Sequence, residues 1–201
     1  MTRFRFRGSD DREVSAEEWL QIWAGLFPSE KYAGYDELMS RHGSFCASDI
    51  EQIGRWKDSA KTVGKWKPNV ASVAYPIWMQ AASELPVCPK EDGVADLLSD
   101  WSERKYTDSY GSKTVEKRFG LSRATTLLHF ISGGRFPIFD ARVRRAMSQL
   151  VGSNVPNTVR WYLDSYCALF SEIASLCGTR DLRKVDKALF SYGSRGFVVV
   201  D

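Results

Sequence analysis

The chain predicts an all-α protein, and three observations carry that reading. Apolar residues recur at helical spacing over most of its length. Residues that favour helix N-caps stand ahead of these runs, and glycines close several of them. About nine to ten helices follow from these signals.

Taken in order, Ser15-Ala16-Glu17-Glu18 is a capping box that opens a helix with Trp19, Ile22, Trp23 and Leu26 on one face. Ser48-Asp49-Ile50-Glu51 repeats that signature before Ile53 and Trp56. Asn69 starts a helix that runs through Tyr75 and Met79 to Leu85, kinked or broken at Pro76. Asp92 leads into Val94, Leu97, Leu98 and Trp101. Ser112 and Ser122 cap two helices separated by Gly120, the first ending at Arg118-Phe119-Gly120. Asp140 caps the next helix, Asn157 a long apolar one to Leu176, and Asp181 a last one carrying Leu182, Val185, Leu189 and Phe190. Gly152 and Gly178 are stops.

Two segments depart from the helical period. Arg3-Phe4-Arg5-Phe6-Arg7 alternates with period two, and Phe197-Val198-Val199-Val200 is rich in β-formers. They predict a minor ribbon joining the termini. The alternative is that the arginines touch a nucleic-acid backbone, with Phe4 and Phe6 packed behind them. No internal repeat or low-complexity linker interrupts the chain.

At 201 residues the chain is long enough to bury its own core, and residues 1–201 are expected to form one helical unit. No apolar run approaches the ~20 residues that span a bilayer, and the Arg-rich start has no following apolar stretch. A cytoplasmic monomer without a membrane partner is therefore expected. Cys46, Cys88, Cys167 and Cys177 are irregularly spaced, and His42 and His129 are the only histidines. That argues against a metal or iron–sulfur site and for free buried thiols, with no cofactor.

The net charge of +3 is unevenly distributed. Residues 111–145 carry Lys113, Lys117, Arg118, Arg123, Arg135, Arg142, Arg144 and Arg145 against only Glu116 and Asp140, so the remainder is net negative. A local cationic segment suits an anionic partner, although a solvated set of helix faces has the same composition. Lys57, Lys61, Lys65 and Lys67 around Trp56 and Trp66 make a second basic and aromatic patch. His129 lies in an apolar helix and reads as a hydrogen-bonded core residue. Asp140, ahead of three arginines, is either a plain N-cap or a carboxylate placed for chemistry.

The segment Gly120–Arg145 resembles the helix–hairpin–helix superfamily of DNA glycosylases. That family carries a hairpin of the type LPGVGxKxA, an apolar helix, and a motif like FPVDTHV whose Asp is catalytic. Here Gly120, Ser122 and Ala124 stand at the G, K and A positions, and Phe136, Pro137 and Asp140 at F, P and D, followed by Val143. Ser122 and Asp140 are 18 residues apart, like the corresponding pair in the iron–sulfur branch of the family. No four-cysteine cluster follows.

The resemblance implies two interleaved helical lobes with a cleft between them, a central lobe of 28–145 and a second lobe of 1–27 plus 146–201. It implies binding of double-stranded DNA through Gly120, Arg123, Lys117, Arg118, Arg142, Arg144 and Arg145. A flipped base would sit among Trp56, Trp66, Tyr75, Trp78 and Phe139. Asp140 would assist water in hydrolysing the N-glycosidic bond. Ser122 replaces the family's lysine, which removes a Schiff-base nucleophile and leaves a monofunctional enzyme. The alternative from another class is a catalytically silent helical module on the same scaffold that binds DNA or a protein.

Overall fold

A computed structural model of the protein describes residues 4–32, 34–41, 46–58, 68–84, 91–110 and 113–195. In chain order the elements are α1 (Ala16–Gly25), a 3-10 turn (Ser29–Tyr32), α2 (Tyr35–Ser40), α3 (Ala47–Asp58), α4 (Pro68–Glu84) and α5 (Glu91–Glu103). Then follow β1 (Lys105–Tyr110), β2 (Lys113–Arg118), α6 (Leu121–Ile131), α7 (Ala141–Val151), α8 (Val159–Trp161), a π-helical turn (Tyr162–Tyr166), α9 (Cys167–Leu176) and α10 (Leu182–Gly193). The protein is mostly helical, with one two-stranded sheet among the described residues. It divides into a terminal unit, Met1–Phe27 with Phe139–Asp201, and a central unit, Pro28–Ile138. The division falls after Ile138 rather than after Arg145, so α7 and Asp140 belong to the terminal unit.

In the terminal unit, α10 packs on both α1 and α7. Ser15 Oγ accepts the Glu18 N–H at 3.1 Å, so α1 starts where its capping residues predict. Trp19, Leu20 and Trp23 are buried. Leu26 is not part of that face: the helix ends at Gly25, and Leu26 at the C-cap is 58% exposed. Asp181 caps α10 by accepting the Lys184 N–H at 3.0 Å, which turns Val185, Ala188, Leu189 and Tyr192 inward. Trp19 and Trp23 meet Tyr192 edge-on, with centroids 5.7 and 5.1 Å apart. Gly193 lets α7 and α10 touch backbone to backbone, since a Cβ there would lie 1.8 Å from the Arg142 carbonyl oxygen. The long apolar helix is capped by Thr158, not Asn157. Thr158 Oγ1 accepts the Trp161 N–H at 3.2 Å, and the helix then passes through its π turn before reaching Leu176.

In the central unit, α6 packs against α3, α4 and α5, burying Leu121, Ala124, Leu127, Leu128 and Phe130. The capping box expected at Ser48 is displaced. The helix begins at Ala47, and Asp49 Oδ2 accepts the Cys46 N–H at 2.7 Å, as a third helical residue reaching back to its N-cap does. Pro76 sits inside α4 without ending it.

The helix expected to end at Arg118-Phe119-Gly120 is instead a β-hairpin. Its strands pair from Lys105↔Arg118 to Tyr110↔Lys113. Tyr106 and Asp108 are buried while Lys105 and Thr107 are exposed, which is strand alternation rather than helical period. Threonine, valine and tyrosine at these positions favour a pleated surface. Of the ribbon expected between the termini, 197–200 lies outside the described residues. Arg5–Arg7 runs instead beside the end of α7, its Arg5 N–H donating to the Leu150 carbonyl at 2.8 Å.

Candidate functional site

Asp140 is the last residue of the segment that leads from α6 into α7. Pro137, Ile138 and Phe139 before it are buried, and its own backbone is extended. The half-buried carboxylate accepts two backbone bonds on one oxygen, Oδ1, from the N–H groups of Arg142 at 2.9 Å and Val143 at 3.0 Å. These bonds fix its orientation at the positive end of the α7 dipole. Asp140 is therefore an N-cap of α7.

Next to it, Phe139 is 1% exposed and ringed by Tyr166, Trp161 and Tyr162 at centroid distances of 4.9, 5.6 and 5.8 Å. Expected as a wall for a flipped base, Phe139 is packed on all sides as a core ring. Trp161 is the half-buried member of this group. Tyr162 and Tyr166 open and close the π turn, where the Cys167 N–H reaches back to the Tyr162 carbonyl. Burial pushes the Tyr166 hydroxyl well above the usual tyrosine range, and the charge of Asp186 and the neighbouring Tyr162, Cys167 and Asp140 push it the same way. Tyr166 thus stays protonated within electrostatic reach of the Asp140 carboxylate. The sequence signal for this group is the spacing of Trp161, Tyr162, Tyr166 and Phe170, which reads at first as ordinary helix core.

Most of the expected phosphate-binding cations carry structural contacts. In the central unit, Lys117 pairs with the buried Asp108 at 3.2 Å and Arg118 with Glu103 at 2.8 Å. Arg123 donates to the Phe119 carbonyl at 3.2 Å and lies 5.7 Å from the Tyr106 ring centroid. In the terminal unit, Arg142 lies over Phe190 at 4.6 Å, and Arg145 donates to the Gly193 carbonyl at 2.9 Å. Arg144, half-buried on α7, makes no side-chain ion pair among the described residues.

Gly120 takes a positive φ of 84° and donates its N–H to the Ser102 carbonyl at 2.9 Å, so it joins the hairpin to α6. The half-buried Ser122 gives its carbonyl to the Thr126 hydroxyl at 2.7 Å. Tyr75 and Trp78 are half-buried on α4. Trp66 lies outside the described residues, as do Lys61, Lys65 and Lys67, and so does the side chain of Trp56.

His129 is a core residue. Its Nδ1 is 2.7 Å from the Phe136 carbonyl, which can only accept, so Nδ1 carries the proton. Nε2 of the neutral ring then accepts from the Tyr35 hydroxyl at 2.7 Å. This clamp ties α2, α6 and the segment before Pro137 together.

Cys88 lies outside the described residues, and the three described cysteines are not uniformly buried. Cys177 is buried, Cys167 half-buried and Cys46 exposed. Among the described residues no cluster of three or more His, Cys, Asp or Glu is placed to hold a metal ion, and no helix is long and apolar enough to cross a membrane.

Compared with known proteins, the chain matches no family model, no curated protein and no solved structure.

Proposed function

We propose that the protein is a monofunctional DNA glycosylase-like hydrolase in which Asp140 assists water attack on the N-glycosidic bond of a flipped damaged or modified base. The observation that supports this most is the Asp140 carboxylate, held at the start of α7 by two backbone bonds to a single oxygen. As the base departs, positive charge grows on the sugar. An ionised, oriented carboxylate stabilises that cation or takes a proton from the attacking water. Ser122 brings no amine, so no covalent sugar adduct forms on it. Trp161, half-buried beside Phe139, takes over the stacking role first expected of Phe139.

A second reading has its own support. The strand before Gly120 replaces the first helix of the expected hairpin, and Lys117, Arg118 and Arg145 are occupied by internal partners. Those features favour a silent helical module that binds DNA or a protein without chemistry.

Asp140→Asn separates the two. Asn is as good an N-cap as Asp, so the fold persists while the charge is lost. The hydrolase reading expects base release from a panel of duplexes with damaged or modified bases, and a fall of at least about a hundredfold in the variant. Release that persists unchanged in Asp140→Asn removes Asp140 from the chemistry. No release by the native protein from any duplex leaves the silent module.

A further inference from the structure

The extended segment before α1 buries Phe6 and exposes Arg5 and Arg7, with the half-buried Phe4 reaching both. Phe6 is 9% exposed and stacks on Phe4 and Trp19, with centroids 5.9 and 5.4 Å apart. Arg5 and Arg7 point the other way and are exposed. The backbone that carries them is fixed at four points. Arg5 N–H donates to Leu150 and Gly8 N–H to Arg12, the Val14 N–H reaches Phe6, and Trp23 Nε1 donates to the Arg7 carbonyl at 2.8 Å.

On this exposed side a groove of about 690 Å³ is lined by Phe4, Arg5, Arg7, Glu13 and Val151. Arg7 Nη1 donates to the Asp11 carbonyl at 2.7 Å, which orients its guanidinium and leaves its other donors for a ligand. Arg5 extends along the end of α7 at Gly152 and makes no ion pair among the described residues. Arg144 stands seven residues before Val151, two helical turns along the same face of α7.

We propose that this groove is a nucleic-acid backbone site in which Arg5 and Arg7 bind phosphodiester oxygens and Arg144 extends the cationic track along α7. The inference rests on the reading that the chain binds DNA, and it moves the main phosphate contact from Lys117–Arg123 to the N-terminal segment. Same-face residues of an extended strand stand about 6.7 Å apart. Phosphates of one DNA strand recur every ~3.4 Å along the helix axis, so guanidinium groups about 6.7 Å apart reach separate phosphates of one strand. Each presents a planar fork suited to two phosphate oxygens. Among the residues that line the groove, the Glu13 carboxylate is the one negative charge set against these two cations. The half-buried Phe4 supplies an apolar floor for sugars.

The test uses the full chain and an undamaged duplex, with binding followed by fluorescence anisotropy over a series of salt concentrations. Arg5→Ala with Arg7→Ala is expected to weaken binding about tenfold near ~100 mM salt and to make the salt slope shallower by about two. Arg160→Ala with Arg180→Ala removes equal charge from exposed positions elsewhere and is expected to stay near the native affinity. The Arg5 and Arg7 side chains are exposed and their backbone bonds survive truncation, and a thermal melt checks that the double variant is folded.

Native affinity and slope in Arg5→Ala with Arg7→Ala overturn the groove, as does an equal loss in the control pair. No DNA retention by the native protein also overturns it, leaving an acidic protein surface as the groove's partner. Base release is scored separately at low salt with excess duplex. Release together with an unchanged double variant sinks the groove alone. Weakened binding without release from any duplex sinks the hydrolase alone.

Discussion

Asn and Ala at position 140 differ physically in a way that isolates the two duties of the side chain. Asn keeps an oxygen that accepts from Arg142 and Val143, whereas Ala leaves both N–H groups without the cap. Asp140→Ala is therefore expected to lower stability by about 1 kcal/mol and Asp140→Asn by a few tenths at most, read from urea melts. Equal losses in the two variants would show that charge rather than capping holds the start of α7. A second residue-scale test lies at Tyr35. Tyr35→Phe removes the donor to His129 Nε2 in a buried setting and is expected to cost about 1–3 kcal/mol. A loss near zero would place the hold on this segment elsewhere. Asp140 and His129 were both legible in the sequence, one from its position ahead of an amphipathic run and the other from its apolar neighbours. The cations were not, because a count of arginines says nothing of the carboxylates and carbonyls that meet them in space.

At the scale of elements, the contact between α7 and α10 depends on one missing side chain. Gly193→Ala would drive a methyl group into the Arg142 carbonyl, which is backbone and has little freedom to retreat. The expected loss is about 3 kcal/mol or more, measured as a fall in the denaturation midpoint without a change in slope. Tolerance of alanine there would mean that α7 and α10 slide apart easily. The Ser15, Asp140 and Asp181 caps are visible in the sequence because capping is local chemistry. The hairpin between α5 and α6 is not legible in the sequence, for a different reason. Gly111-Ser112 between two runs of alternating residues is a hairpin signal, but Ser112 also looks like an N-cap, and the segment carries helix-compatible lysines and a glutamate. Tertiary contact decides between the two, since the Asn69 side chain donates to the Thr107 carbonyl on β1. The π turn left no local mark at all, because its extra residue shows only when the rings around Phe139 are in place.

At the scale of the whole molecule, two buried acids shape stability against pH from opposite ends. Burial alone would raise the Asp49 carboxyl, but the bonds from Cys46 and Arg41 outweigh it and hold it below the ordinary range. A depressed carboxyl stabilises the fold above its unfolded pKa, and that contribution is lost as pH falls through the lower folded value. Burial, with a smaller push from Glu17, raises the Cys177 thiol from 9.0 to about 11. The unfolded chain therefore ionises first. Stability falls as pH rises from 9 towards 11, by about 2–3 kcal/mol for this thiol. Cys177→Ala is expected to flatten that alkaline fall and Asp49→Asn the acid one, both read from melts across pH. An alkaline limb unchanged in Cys177→Ala would assign it to other groups.

The division of the chain has a consequence for how the protein is made. α1, with Trp19 and Trp23 on its apolar face, leaves the ribosome well before its partner α10 is made. All of the central unit is synthesised while that face waits. Closing the terminal unit then requires a contact between distant parts of the chain, so it is the slow step and the stage most exposed to aggregation.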